Sequence, residues 1–202
     1  SGTIIAEQAG GDRTASLILT IVINILAVFM IPFNLSWTLG TSVNIAVQPL
    51  LIKLVSLVLI PAVIGYVIRI KKENFIVGHK TTLKYLPIGC LAVVIYISMS
   101  RQVESINQLT LKMLGEYSLA SIIVHLILLI AAYKLARLFK NEEATARSVA
   151  ICCSQKTIPI TVAIWSSSFS HYPLALLPGI VFHLCQIYCD GMIAKKWSRR
   201  DK

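Results

Sequence analysis

An all-α, polytopic membrane helical bundle is predicted for this chain by three observations: how few charges it carries, how its apolar residues run, and where its basic residues fall. Of 202 residues, 56% are hydrophobic and only 14% are charged, whereas a soluble domain carries about 25% charged residues. Mean hydropathy is +0.75. The apolar residues collect into six segments of the ~20 residues that a helix needs to cross a bilayer. These are A at 14–34, B at 49–70, C at 82–100, D at 117–139, E at 144–168 and F at 173–194. The net charge of +10 would suggest nucleic acid for a soluble protein. Here the basic residues lie in short loops, with no continuous stripe and no RNP-type motif, so the expected partner is the lipid bilayer and not nucleic acid.

Each segment has its own signature. Residues 1–9 read as a half-helix before "GGDR", and segment A carries no charge after Arg13. B holds Lys53 near its start and ends in "RIKK", and C is apolar around "CLAVVIYIS". D has His125 near its centre and ends in "KLARLFK", while F holds His183, Gln186 and Asp190 before "KKWSRRDK". The loops are short, so residues 1–202 are expected to form a single transmembrane domain.

Sidedness follows from counting. If "GGDR" is cytoplasmic, alternating spans put 69–84, 134–147 and 195–202 on the same side. Fifteen of the nineteen Lys and Arg residues then lie inside, while only Arg101 and Lys112 lie in loops outside. That is a strong positive-inside bias, and it predicts a multi-pass protein of the cytoplasmic (plasma or inner) membrane with a cytoplasmic C-terminus. The five cysteines, at 90, 152, 153, 185 and 189, all sit in apolar segments, so disulfides are not expected. The chain opens on "SGTIIAEQAGGDR" without Met or a signal-peptide pattern, and it is expected to be the C-terminal part of a longer protein.

Segment E is the interrupted one. As a continuous helix its 25 residues would reach about 37 Å. Its middle reads Ser154, Gln155, Lys156, Thr157, Ile158, Pro159. Pro159 lacks an N–H and crowds the preceding turn, and it pushes Ile158 away from helical geometry. Thr157 is placed to cap a second half-helix. Two half-helices joined by an unwound link are therefore predicted around 154–159, a backbone that survives at membrane depth only inside protein or along a cavity. Lys156 is too far from either end to snorkel, so it marks a functional site and needs a partner, with Glu7 and Asp190 the candidates.

Other polar residues in the spans fall into register with that break. His183, Gln186 and Asp190, at i, i+3 and i+7, share one face of F. Thr20 and Asn24 are four apart on A. Structural interhelical hydrogen bonds account for Thr20, His125 and Cys90. Ser154 beside Lys156 offers a nucleophile and a base, but no G-x-S-x-G or comparable context surrounds them, so no enzyme is expected. Cys185 and Cys189 with Cys152 or Cys153 could meet around a soft metal, a reading set aside because cysteine is common in apolar helices. No resident cofactor or metal is expected.

"AGGD" before an apolar span, "RSVAICCSQKTIPITVAI" and "LLPGIVFHLCQI" resemble the bile acid:sodium symporter superfamily, in particular its SBF-like branch, which includes sodium-dependent transporters. The likeness covers essentially the whole chain. It implies a ten-span, inverted-repeat fold in which the fourth and ninth helices are broken and cross near mid-membrane. Segment E would be the ninth helix and residues 1–9 the second half of the fourth. In sodium-coupled members, polar residues beside the crossover hold sodium. The matching positions are Ser1, Thr3, Thr20, Asn24 and Gln155, with sodium itself at Thr20, Asn24 and Gln155. Well-known members also have a glutamate one turn before that glutamine, where this chain has Ile151, and often Asn where it has Lys156. An ammonium matches the charge of a bound sodium, so Lys156 is expected to replace one cation, with Na+ or H+ as the coupling ion.

The expected function is secondary transport of a small organic anion by alternating access around Ser154, Gln155, Lys156 and Thr157, with His183 and Gln186 contributing. The alternative, from the same resemblance, is a non-transporting membrane regulator of cation (calcium) homeostasis.

Overall fold

Every regular element among the described residues is helical. The computed structural model describes residues 2–39, 47–72, 110–199 and the single positions 75, 78, 89, 93, 96, 97 and 100. Most of segment C, with Cys90, and the candidate ligand Ser1 lie outside them. The elements are α1 (Gly2–Gln8), α2 (Arg13–Leu39), α3 (Val47–Leu54), a π turn (Val55–Leu59) and α4 (Ile60–Lys71). They continue with α5 (Leu111–Leu138), α6 (Glu143–Ser154), α7 (Ile158–Ser168), a 3-10 turn (Pro173–Leu176) and α8 (Leu177–Ser198). Among the described residues, four stretches are long and apolar enough to cross a membrane: Arg13–Leu39, Leu111–Leu138, Glu143–Ser168 and Leu174–Ser198. The protein is a helical membrane bundle.

The departures from the expected segments have local causes. D starts earlier, at Leu111, because Thr110 caps α5 by accepting the Met113 N–H at 3.2 Å. Lys112 and Glu116 look like loop residues in sequence, yet they are an exposed i,i+4 pair on that helix, at 3.9 Å. F runs on to Ser198 because Lys195 and Lys196 suit the negative end of a helix dipole. B is not one uniform helix. Pro61 has no N–H to return to residue 57, and the turn before it widens so that the Ile60 N–H reaches the Val55 carbonyl.

The chain divides into two compact units. The first is Ser1–Ala27, Thr110–Ile158 and Leu176–Lys202, and the second is Val28–Leu109 and Pro159–Ala175. In the second unit, Lys53 Nζ donates to Ser166 Oγ at 3.2 Å, and Trp165 Nε1 donates to the Tyr172 carbonyl at 3.1 Å.

In the first unit, α5 packs on α6 and α8, and α1 packs on α6 and α8. Ile5 and Ala6 of α1, with Ala9 just after it, meet Ile151, Cys152 and Ala194, the small residues allowing close backbone approach. On the outside, Leu17, Ile18 and Ile21 of α2 stay exposed, as on a helix bordering lipid.

α1 and α5 end in the same way. Gly10 has φ 73°, while the Gly10 and Gly11 N–H groups return to Glu7 and Ala6 at 3.1 and 2.8 Å. Lys140 has φ 58°, while the Lys140 and Asn141 N–H groups return to Arg137 and Ala136 at 3.0 and 3.2 Å. Both are Schellman turns, which satisfy carbonyls left open at a helix end.

The two turns are stitched together. The Asp12 N–H donates to the Ala144 carbonyl at 3.2 Å, and Arg147, nearly buried, donates from Nη1 to the Ala9 carbonyl at 2.9 Å. Arg147 also lies over Trp197 near the end of α8, 5.8 Å from the ring centroid. The "GGDR" turn, the 139–147 turn and the end of α8 thus share one end of the unit. These are regions that the charge count assigns to a common side.

Candidate functional site

α6 stops at Ser154 because Gln155 turns to extended geometry (φ −82°, ψ 143°). α7 resumes at Ile158 with Pro159 in its first turn, where a missing N–H costs nothing. The predicted break is therefore present. One side chain takes up both freed backbone groups of Lys156. Gln186 of α8, fully buried, accepts the Lys156 N–H on Oε1 at 2.9 Å and donates from Nε2 to the Lys156 carbonyl at 2.8 Å. It stands in for a neighbouring peptide group, which lets unwound backbone persist inside a bundle.

The face predicted on F does converge on this link. His183 Nδ1 lies 2.9 Å from Gln186 Nε2 and 3.1 Å from the Lys156 carbonyl. Asp190, one turn beyond Gln186, accepts from Gln155 Nε2 on Oδ2 at 2.6 Å. Its other oxygen, Oδ1, accepts from His125 Nε2 of α5 at 2.9 Å. Asp190 and His125 are both wholly buried.

The Gln155 side chain also reaches α1. A Cβ on Gly2 would collide with Gln155 Oε1, so the absence of a side chain at Gly2 lets the amide oxygen settle on this helix. Further along α1, the Thr3 and Thr20 hydroxyls lie 3.5 Å apart. Thr20 Oγ1 also donates to the Ser16 carbonyl at 2.8 Å, and its contact with Cys152 Sγ is 3.9 Å. Ser154 is buried and spends its hydroxyl on the Ile151 carbonyl at 3.2 Å. Asn24, one turn past Thr20, is half-buried, and the described hydrogen-bonded cluster does not extend to it.

Lys156 departs from expectation. Neither candidate carboxylate is its partner: Glu7 pairs with Arg13 at 3.7 Å, and both oxygens of Asp190 are occupied as described. Instead the Lys156 side chain is exposed, and its Nζ lies over the Phe182 ring, 5.0 Å from the centroid. A cation over an aromatic face is attracted by the negative face of the ring. Thr157 beside it is exposed as well.

The sequence reading missed the His125–Asp190 pair. The signal was present: His125 and Asp190 are ionisable residues within apolar helices, each needing a partner inside the bundle. It also missed the buried chain Ser16 Oγ to Ser148 Oγ at 3.0 Å and Ser148 Oγ to the Asp12 carbonyl at 2.9 Å. That chain ties α2 to α6 just below the site.

The link of the broken helix is thus held by a glutamine and faced by a buried acid. The family model of the SBF-like CPA transporter family matches residues 1–199. The chain belongs to that family. It is similar along its whole length to the "Probable sodium/metabolite cotransporter BASS4, chloroplastic" of Arabidopsis thaliana, at 29% identity over 217 residues. Its likeness to the proteins of the same name in Oryza sativa, subspecies indica and japonica, is 27% over 221 residues. The chain spans about half the length of these relatives, 50% in the first and 52% in the other two. The family is one of transporters, not of enzymes.

Proposed function

We propose that this chain forms part of a secondary transporter that binds sodium and a small organic anion beside the break at 155–157, and that it works by alternating access around that break. The observation that carries the reading is the geometry of Gln155. It follows the carbonyl end of α6, which favours a cation, and it lays its amide oxygen against α1. The Thr3 and Thr20 hydroxyls lie on the adjoining helices. Oxygen-rich sites at helix breaks are how such folds hold coupling ions. The relatives' name, sodium/metabolite cotransporter, agrees with sodium as the coupling ion.

Lys156 has a separate role in this reading. Its ammonium is exposed beside the link, with the half-buried His183 at the same carbonyl. It supplies a positive charge to an anionic solute instead of standing in for sodium.

The test is uptake by the full-length protein in proteoliposomes, using a panel of labelled carboxylates with imposed sodium or proton gradients. The expected result is saturable, sodium-driven uptake of one of them, with Lys156→Asn raising the solute KM while sodium dependence persists. Uptake that ignores sodium and follows a proton gradient would overturn the assignment of the ion. An unchanged solute KM in Lys156→Asn would overturn the role of Lys156.

A further inference from the structure

His125 and Asp190 are both 0% exposed. Ions are costly to remove from water, and a buried acid persists only where donors are arranged around it. Asp190 has two: His125 Nε2 at 2.9 Å on Oδ1 and Gln155 Nε2 at 2.6 Å on Oδ2. A carboxylate only accepts, so these contacts decide two orientations. His125 must carry a proton on Nε2. Its Nδ1 is buried and has no hydrogen-bond partner among the described residues. Gln155 must present its NH2 group to α8, and this turns the oxygen at the other end of the amide onto Gly2 of α1.

A glutamine amide can be rotated by half a turn with almost no change of shape, and only its partners decide which end is oxygen. Rotated, Gln155 would set its oxygen against the Asp190 carboxylate and offer an N–H2 group on the α1 side. A cation can use the first arrangement and is repelled by the second. His125 in turn is held edge-on to Phe182, with ring centroids 6.1 Å apart at 87°, so the carboxylate it braces has little freedom.

We infer that Asp190, braced by His125, is the positioning residue for cation binding: it locks the Gln155 amide with its oxygen turned toward α1. This inference rests on the reading of Gln155 as a cation ligand. Removing the outer partners that orient an ion's ligands changes affinity about ten- to a hundredfold in metal sites.

The experiment is equilibrium binding of 22Na+ to the purified full-length protein, which needs no knowledge of the solute. The proteins compared are wild type, Gln155→Ala, Asp190→Asn, His125→Asn and the double exchange Gln155→Glu with Asp190→Asn. An amide at 190 cannot accept from both donors at once, so Asp190→Asn should raise the half-saturating sodium concentration about tenfold and leave the number of sites unchanged. In the double exchange, the amide at 190 can donate to the new carboxylate and accept from His125, so affinity should return to within about threefold of wild type. A purely structural pair would change the amount of folded protein and its number of sites, but not the half-saturating concentration. Melting temperatures in detergent identify any variant that has not folded, and if Asp190→Asn fails to fold, His125→Asn and the double exchange decide. Wild-type affinity in Asp190→Asn, or in His125→Asn where that is the deciding variant, overturns the inference while the Gln155 reading stands. No sodium binding by wild type, or undiminished binding by Gln155→Ala, overturns both.

Discussion

Replacing Gln186 by leucine removes a side chain that bonds both backbone groups of one residue in the unwound link. The two bonds, 2.9 and 2.8 Å, join Gln186 to the N–H and C=O of Lys156. Each net hydrogen bond contributes about 1 kcal/mol, and a buried group left unpaired costs about 1–3 kcal/mol. The link is only part-buried, so water can reach one of the two groups more readily than the fully buried glutamine. The expected loss for Gln186→Leu is therefore about 3 kcal/mol, or roughly 6–12 °C in melting temperature for a chain of this size.

Gln186→Glu adds a sign. It keeps an acceptor for the Lys156 N–H but sets a carboxylate oxygen against the Lys156 carbonyl. At neutral pH it should melt at least as low as Gln186→Leu. Its stability should rise as pH falls, because protonation of the introduced carboxyl restores a donor toward that carbonyl. Tryptophan fluorescence during thermal unfolding in detergent reads both variants. A Gln186→Leu midpoint within 1 °C of wild type would show that the link is not held by this side chain.

Other substitutions test the end of the unit where the two Schellman turns meet. Arg147→Met removes the bond to the Ala9 carbonyl at 2.9 Å and that to Glu143 Oε1 at 3.1 Å. It should cost about 2–3 kcal/mol, and Arg147→Lys should recover only part of the loss because an ammonium lacks the planar fork, as read by the midpoint of thermal unfolding. Gly11→Ala would put a Cβ 2.6 Å from Ser148 Oγ and 2.7 Å from the Ala6 carbonyl. The overpacking should cost about 1–3 kcal/mol and be partly relieved in Gly11→Ala/Ser148→Ala, a coupling that a double-mutant cycle measures. Asp12→Ala removes the acceptor for the Thr14 and Ala15 N–H groups at 2.7 and 3.2 Å. A loss of about 1 kcal/mol is expected, with Asp12→Asn close to wild type. Hydrogen exchange of the first turn of α2 is the direct readout.

Much of the site was legible because its causes are local. Proline has no N–H wherever it occurs, so Pro159 announced a break. The i, i+3, i+7 spacing on F was enough to put His183, Gln186 and Asp190 on one face, since helical geometry fixes that face without knowledge of neighbours. The positive-inside count likewise grouped "GGDR", 134–147 and the end of α8. Residues of all three meet at one end of the first unit.

The sequence by itself determined where the helix breaks, which residues surround the break and that the chain is a membrane bundle. Covalent geometry, helical periodicity and the cost of charge in lipid act residue by residue. Only the tertiary structure decided who pairs with whom. Lys156 and Asp190 looked like natural partners by charge. Instead Asp190 takes His125, 65 residues away, and Gln155, 35 residues away, while Lys156 rests on Phe182. Partner choice depends on which helices adjoin and at what depth their side chains meet, and a one-dimensional pattern of polar residues does not carry that depth.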